Sequence, residues 1–190
     1  EGPPPLTVSV ELELEGERLV VAAPIVHVWL DRVHGERERR VLVVPPATVT
    51  PAREAVMFPN HHAATVTLRV RAGVEQLDGR VFLELPEGWR AAPAEQPVKL
   101  ARTGDEAVLS FVVTPPAGAH GGQARPVLDV AGERWSWRED VVDYPHVPLQ
   151  VVLQPAKLRL SPLQLAKPRG LIGYVEGSGD TIALDLQHIG

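Results

Sequence analysis

Residues 6–14 read LTVSVELEL, and this segment sets the expected fold class. Its aliphatic residues, which begin at Leu6 and end at Leu14, alternate strictly with threonine, serine and glutamate. A period of two places successive side chains on opposite faces of a strand. The segment therefore predicts a β-strand with one face toward solvent.

The same period returns along the chain, and turn-forming residues separate the repeats. Apolar alternation recurs at Val66–Val70, Val81–Leu85, Phe111–Val113 and Val147–Leu153. Turn signals include Leu77-Asp78-Gly79, Thr103-Gly104-Asp105 and Ala131-Gly132. Short strands divided in this way are typical of a β-sandwich.

Proline and glycine exclude a helical bundle. The chain holds 19 Pro and 16 Gly, and its longest stretch free of both is residues 60–72. Because a proline inside a helix costs about 3 kcal/mol, few helices fit between them. The fold class predicted is all-β.

Charge and cysteine content exclude several functions. The formal net charge is -5 and no basic cluster occurs, so nothing attracts nucleic acid or an anionic membrane. No apolar run approaches the roughly 20 residues of a membrane-spanning helix. With no cysteine, disulfides, thiolate zinc sites and cysteine nucleophiles are excluded.

Proline clusters at residues 45–51 and 145–148 mark the expected domain boundaries. Four regions are predicted: 1–46, the C-terminal part of an immunoglobulin-like sandwich; 47–142, a complete sandwich; 143–169, a linker with one strand; and 170–190, the β-α start of an α/β domain. The first region offers only three or four strands, too few to close a two-sheet core. We interpret the chain as a segment of a longer polypeptide.

Histidines give a weak prediction of a metal site. His61 and His62 are adjacent, and neighbouring residues of a strand point to opposite faces, so they cannot share one ion without a turn. His27, His34 and Asp31 flank a predicted hairpin, but nothing fixes a further ligand. Strand and turn histidines are the favoured interpretation.

Catalytic motifs are also missing from the sequence. The serines are Ser9, Ser110, Ser136, Ser161 and Ser178, and none stands in a Gly-x-Ser-x-Gly elbow. The carboxylate pairs Asp140 with Asp143 and Glu84 with Glu87 fit a solvated surface better than glycosidase chemistry. No catalytic residue is predicted.

The four tryptophans are the candidate ligand-binding residues, because indole rings stack on sugar faces. They are Trp29, Trp89, Trp135 and Trp137. Trp89 follows the turn Pro86-Glu87-Gly88, which favours a ring closing one end of the core. Trp135 and Trp137 are expected to share one strand face, either packed in the core, the favoured interpretation, or exposed as an aromatic strip for polysaccharide.

Two groups of motifs resemble known families. Leu85–Trp89 and Ser110–Ala117 resemble the NEW3 module, an immunoglobulin-like sandwich of bacterial carbohydrate-active proteins. Behind them, Asp143–Gln150 and Ile172–Asp180 resemble the non-catalytic C-terminal half of large bacterial PIG-L (LmbE-like) deacetylases. The resemblance spans residues from about 20 to 190.

The PIG-L resemblance implies a zinc hydrolase domain that deacetylates N-acetylglucosamine-type substrates, followed by sandwich modules and a flavodoxin- or amidotransferase-like domain. The zinc motif of that family has the form Ala-His-Pro-Asp-Asp-Glu, and no histidine of this chain precedes Pro-Asp-Asp. No catalytic or metal residue is therefore carried over, and zinc is expected only in the missing catalytic domain.

The resulting expectation is a structural accessory segment that is not itself an enzyme and has no cofactor of its own. Its expected partners are flanking domains of the same polypeptide, with polysaccharide as the alternative. The strand edge at residues 6–14 offers a route to a homo-oligomer. The resemblance also suggests export to the periplasm or the cell exterior.

Overall fold

The computed structural model describes residues 4–33, 35–41, 43–142, 144, 150–166, 173–175, 177 and 182. Its strands, in chain order, are β1 (Thr7–Leu14), β2 (Glu17–Pro24), β3 (Val26–Asp31), β4 (Gly35–Arg40), β5 (Ala47–Pro51), β6 (Ala55–Pro59), β7 (Ala64–Ala72), β8 (Leu77–Glu84), β9 (Arg90–Ala92), β10 (Glu95–Leu100), β11 (Glu106–Thr114), β12 (Gly122–Val130), β13 (Glu133–Trp135), β14 (Trp137–Val142), β15 (Gln150–Pro155) and β16 (Leu158–Leu163). They fall into two compact units, divided between Val44 and Pro45.

The first unit consists of two-stranded sheets. β1 pairs with β2 and β3 with β4, both antiparallel. The turn between β1 and β2 is Glu15-Gly16, whose φ angles of 52° and 85° suit a two-residue hairpin of type I′. Most of a third pair, β14 with β15, also belongs to this unit.

The second unit is a two-sheet β-sandwich. One sheet has the order β5-β7-β11-β9. The other has the order β10-β8-β12-β16-β6, and β13 pairs with Leu128–Val130 at the C-terminal end of β12. β5 and β6 follow each other in the chain but belong to different sheets, and β6 pairs in parallel with β16.

Alternation of side chains builds the sandwich core. Along β7, Val66, Leu68 and Val70 are buried, while the residues between them are polar and at least partly exposed. The opposite sheet contributes a matching set of fully buried residues: Phe58, Val81, Ala124, Leu128, Leu158 and Leu160. The all-β sandwich predicted from the sequence is confirmed in this unit.

In the region predicted as a linker with one strand, 143–169, the described residues form two strands, β15 and β16. β16 lies between β6 and β12, and both Leu158 and Leu160 are completely buried. This stretch is a core strand because Leu158-Arg159-Leu160 alternates like the other sandwich strands.

The β-α tail predicted for 170–190 lies outside the described residues, except for positions 173–175, 177 and 182. Within the part of the chain that the structure describes, no helix is long and apolar enough to cross a membrane.

Candidate functional site

Trp89 is a core residue. The turn before it has Gly88 at a φ of 80°, and the Trp89 N–H donates to the carbonyl of Pro86 at 3.2 Å. The indole ring meets Phe58 edge-on with 4.8 Å between ring centroids, and only 8% of the residue is exposed. Trp89 therefore offers no face to a sugar and leaves the set of candidate binding residues.

Trp135 and Trp137 do not share a strand face, which corrects the prediction. Ser136 separates β13 from β14, and its hydroxyl donates a hydrogen bond to the carbonyl of Pro126 at 2.7 Å. Trp135 pairs opposite Leu128 at the edge of β12 and is half-buried. Trp137 opens β14 in another sheet with 39% of its surface exposed.

Trp29 lies in the first unit, apart from the sandwich. It is half-buried on β3, where the ring of His27 meets it at 5.6 Å between centroids. The described residues show no ring contact between any two tryptophans. Trp137 is the most exposed of the three tryptophans in the sandwich unit.

The histidine candidates form a turn rather than a metal centre. Asn60 and His61 both have left-handed backbones, with φ of 50° and 58°, and the N–H groups of His61 and His62 donate to the carbonyls of Phe58 and Pro59. Among the described residues, no group of three His, Cys, Asp or Glu could hold a metal ion. His34 and Asp143 lie outside the described residues.

The outer face of the sheet formed by β8, β10, β12 and β13 is charged but internally paired. Glu84 accepts hydrogen bonds from Arg125 at 2.6 and 2.7 Å and lies 3.6 Å from Arg134. Lys99 donates to Asp78 at 2.8 Å, and this hydrogen bond, with the charge of Asp78, raises the pKa of Lys99. Because these charges are paired and exposed, this face is a solvated surface whose ion pairs each contribute little to stability.

A groove that sequence reasoning missed opens where the chain crosses between the two sheets. β5 leaves β7 after Pro51, and the Ala52 N–H donates to the Thr67 carbonyl at 2.9 Å. Beyond that point a space of about 370 Å³ separates β6 from β7. Its described lining is mostly small and apolar, with Ala55, Met57, Ala64 and Thr65 at its centre and Arg53 as its charged residue.

The described lining of the groove offers no acid-base group. None of its described lining residues is an aspartate, glutamate or histidine. The sequence signal for it is indirect: Pro51 and Pro59 end β5 and β6, yet nothing in the pattern shows that these strands join different sheets.

Comparison with known protein families gives one match, and it lies within the sandwich unit. Residues 59–128 match the family described as NPCBM-associated, NEW3 domain of alpha-galactosidase. The match runs from the end of β6 into β12, and β16 completes the sheet from beyond it. No curated protein matches the chain. The matched family is an accessory domain rather than a catalytic one.

Proposed function

We propose that this chain is a non-catalytic accessory segment of a larger carbohydrate-active enzyme, in which the sandwich holds a catalytic domain at a fixed distance. The observation that carries the proposal is the family match, since the matching domain is named for its place in an alpha-galactosidase. The closed core of the sandwich and its internally paired charged face support a spacer, which needs stiffness and no reactive groups.

We propose further that the catalytic domain is a zinc-dependent de-N-acetylase of the PIG-L type. The support is the resemblance of Asp143–Gln150 and Ile172–Asp180 to the C-terminal half of those enzymes. Zinc would then be held by residues of that domain, and this chain would contribute none of its ligands.

Reading the gene in frame on both sides of this segment tests the parent enzyme. A His-Pro-Asp-Asp motif upstream is the expected result. An alpha-galactosidase catalytic domain in its place would overturn the deacetylase but retain the accessory role. A reading frame that encodes no catalytic domain would contradict both.

A carbohydrate-binding role is the second candidate, because Trp137 is 39% exposed. Titration with chitin oligomers, followed by tryptophan fluorescence, separates it from a pure spacer. A spacer predicts no spectral shift at millimolar ligand. A shift that Trp137→Ala abolishes and Trp29→Ala retains would favour sugar stacking on this ring.

A further inference from the structure

One face of the hairpin of β1 and β2 is apolar except for Glu17, which lies opposite Leu14 at the turn. The pairing of Val10 with Val21 and of Leu12 with Leu19 places the same class of side chain on both strands. The face, called here the apolar hairpin face, consists of Val8, Val10, Leu12, Leu14, Leu19, Val21 and Ala23. Its valines and leucines are between 46% and 74% exposed.

The opposite face of the same hairpin is mixed but mostly polar. Its polar residues are Thr7, Ser9, Glu11, Glu13 and Arg18, and its apolar residues are Val20, Ala22 and Pro24. A sheet with one polar and one apolar face normally packs the apolar face against another layer. An isolated two-stranded hairpin is marginally stable in water, so the uncovered face needs a cover.

We propose that the apolar hairpin face packs against the same face of a second copy of this chain. A fully exposed valine or leucine presents on the order of 170 Å², so the seven side chains offer on the order of 500 Å² per copy. A symmetric pair would bury on the order of 1,000 Å² in total, which reaches the lower bound for a specific interface.

The distribution of side-chain size along the hairpin fits a two-fold arrangement. The large residues Leu12, Leu14 and Leu19 lie near the turn, and Val8 and Ala23 lie at the open end. A two-fold axis at the level of Val10 and Val21 sets Leu12 and Leu19 of one copy over Val8 and Ala23 of the other.

Sedimentation velocity between micromolar and submillimolar concentrations tests the proposal on the 190-residue chain. The wild type should dimerise reversibly. Val10→Thr with Val21→Thr, which keeps β-branched residues but removes apolar surface, should raise the dissociation constant at least tenfold. Val20→Thr is the matched control, because Val20 is 56% exposed on the opposite face of the same strand, and it should leave the constant unchanged.

Crosslinking keeps the test decisive if the double variant unfolds its hairpin. Since the chain has no cysteine, Val10→Cys and Val20→Cys each give a single thiol. A short bis-maleimide should join two Val10→Cys chains and leave Val20→Cys chains unjoined. A monomer at every concentration, equal weakening by Val20→Thr, or open-ended growth typical of edge pairing would each overturn the proposal.

Discussion

Ala131 holds a backbone conformation that alanine disfavours. It lies with Gly132 in the two-residue turn between β12 and β13, where their φ angles are 53° and 88°. In the left-handed region the Cβ of an L-residue crowds the following carbonyl, which costs about 1 kcal/mol. A type I′ turn prefers asparagine followed by glycine at these positions.

Replacing Ala131 by asparagine should therefore stabilise the sandwich by about 1 kcal/mol, because asparagine tolerates this conformation better. The measurement is urea unfolding of the two proteins under identical conditions. Ala117→Asn is the control, since Ala117 is exposed and has no positive φ. An equal gain in both variants would show that the turn conformation is not the cause.

Among the strands, β16 connects segments that are far apart in the sequence, because it pairs with both β6 and β12. It pairs with β6 along five residues and with the start of β12 along three. Leu160 is completely buried, whereas Leu163 at the end of the strand is 36% exposed. The contribution of this strand to stability thus depends on its inward side chains.

Leu160→Ala should destabilise the sandwich by about 3 kcal/mol, because it removes a buried side chain and leaves a cavity. Leu163→Ala should cost less than about 1 kcal/mol, since much of that side chain is already in water. Chemical denaturation of both variants gives the comparison. If the two losses were equal and small, β16 would be a loosely attached linker after all.

On the scale of the whole chain, stability is divided between unequal parts. Every residue of the hydrophobic core cluster lies in the second unit, between Ala47 and Leu160. The strands of the first unit that precede Val44 bury no residue fully among those described. The sandwich therefore contains its own stabilising core.

A shortened chain of residues 45–190 should keep a cooperative thermal transition within a few degrees of that of the full chain, since its core is complete. Differential scanning calorimetry measures this directly. Leu160→Ala in the shortened chain should lower the midpoint as it does in the full chain. Loss of the transition on removing residues 1–44 would mean that the sandwich depends on the first unit.

Local pattern predicted the strands but not their partners. The period-two runs of β1, β7 and β11 were readable because each strand has one buried or apolar face. β16 was missed because Pro155 and Pro162 frame it like a linker, and its partner β6 lies far away in sequence. Pairing over such a separation leaves no trace in one strand's own residues.

The candidate site shows the same limit. Trp89 was readable as a core residue from the tight turn before it. Trp135-Ser136-Trp137 keeps a period of two, yet the Ser136 hydroxyl bonds to Pro126 and its carbonyl accepts from the Ala156 N–H, which ends one strand and begins another. The groove between β6 and β7 arises because the chain passes from one sheet to the other between β5 and β6. The sequence pattern of these two strands does not show which sheet each one joins.

The parallel pairing of β6 with β16 has a mechanical consequence. When the sandwich is pulled through its two ends, tension reaches β16 from one side and β6, by way of β5, from the other. In parallel neighbours pulled in opposite directions, the hydrogen bonds between Ala55–Pro59 and Arg159–Leu163 are loaded together in shear and not opened one after another. A module joined in this way resists stretching along the line between its two ends.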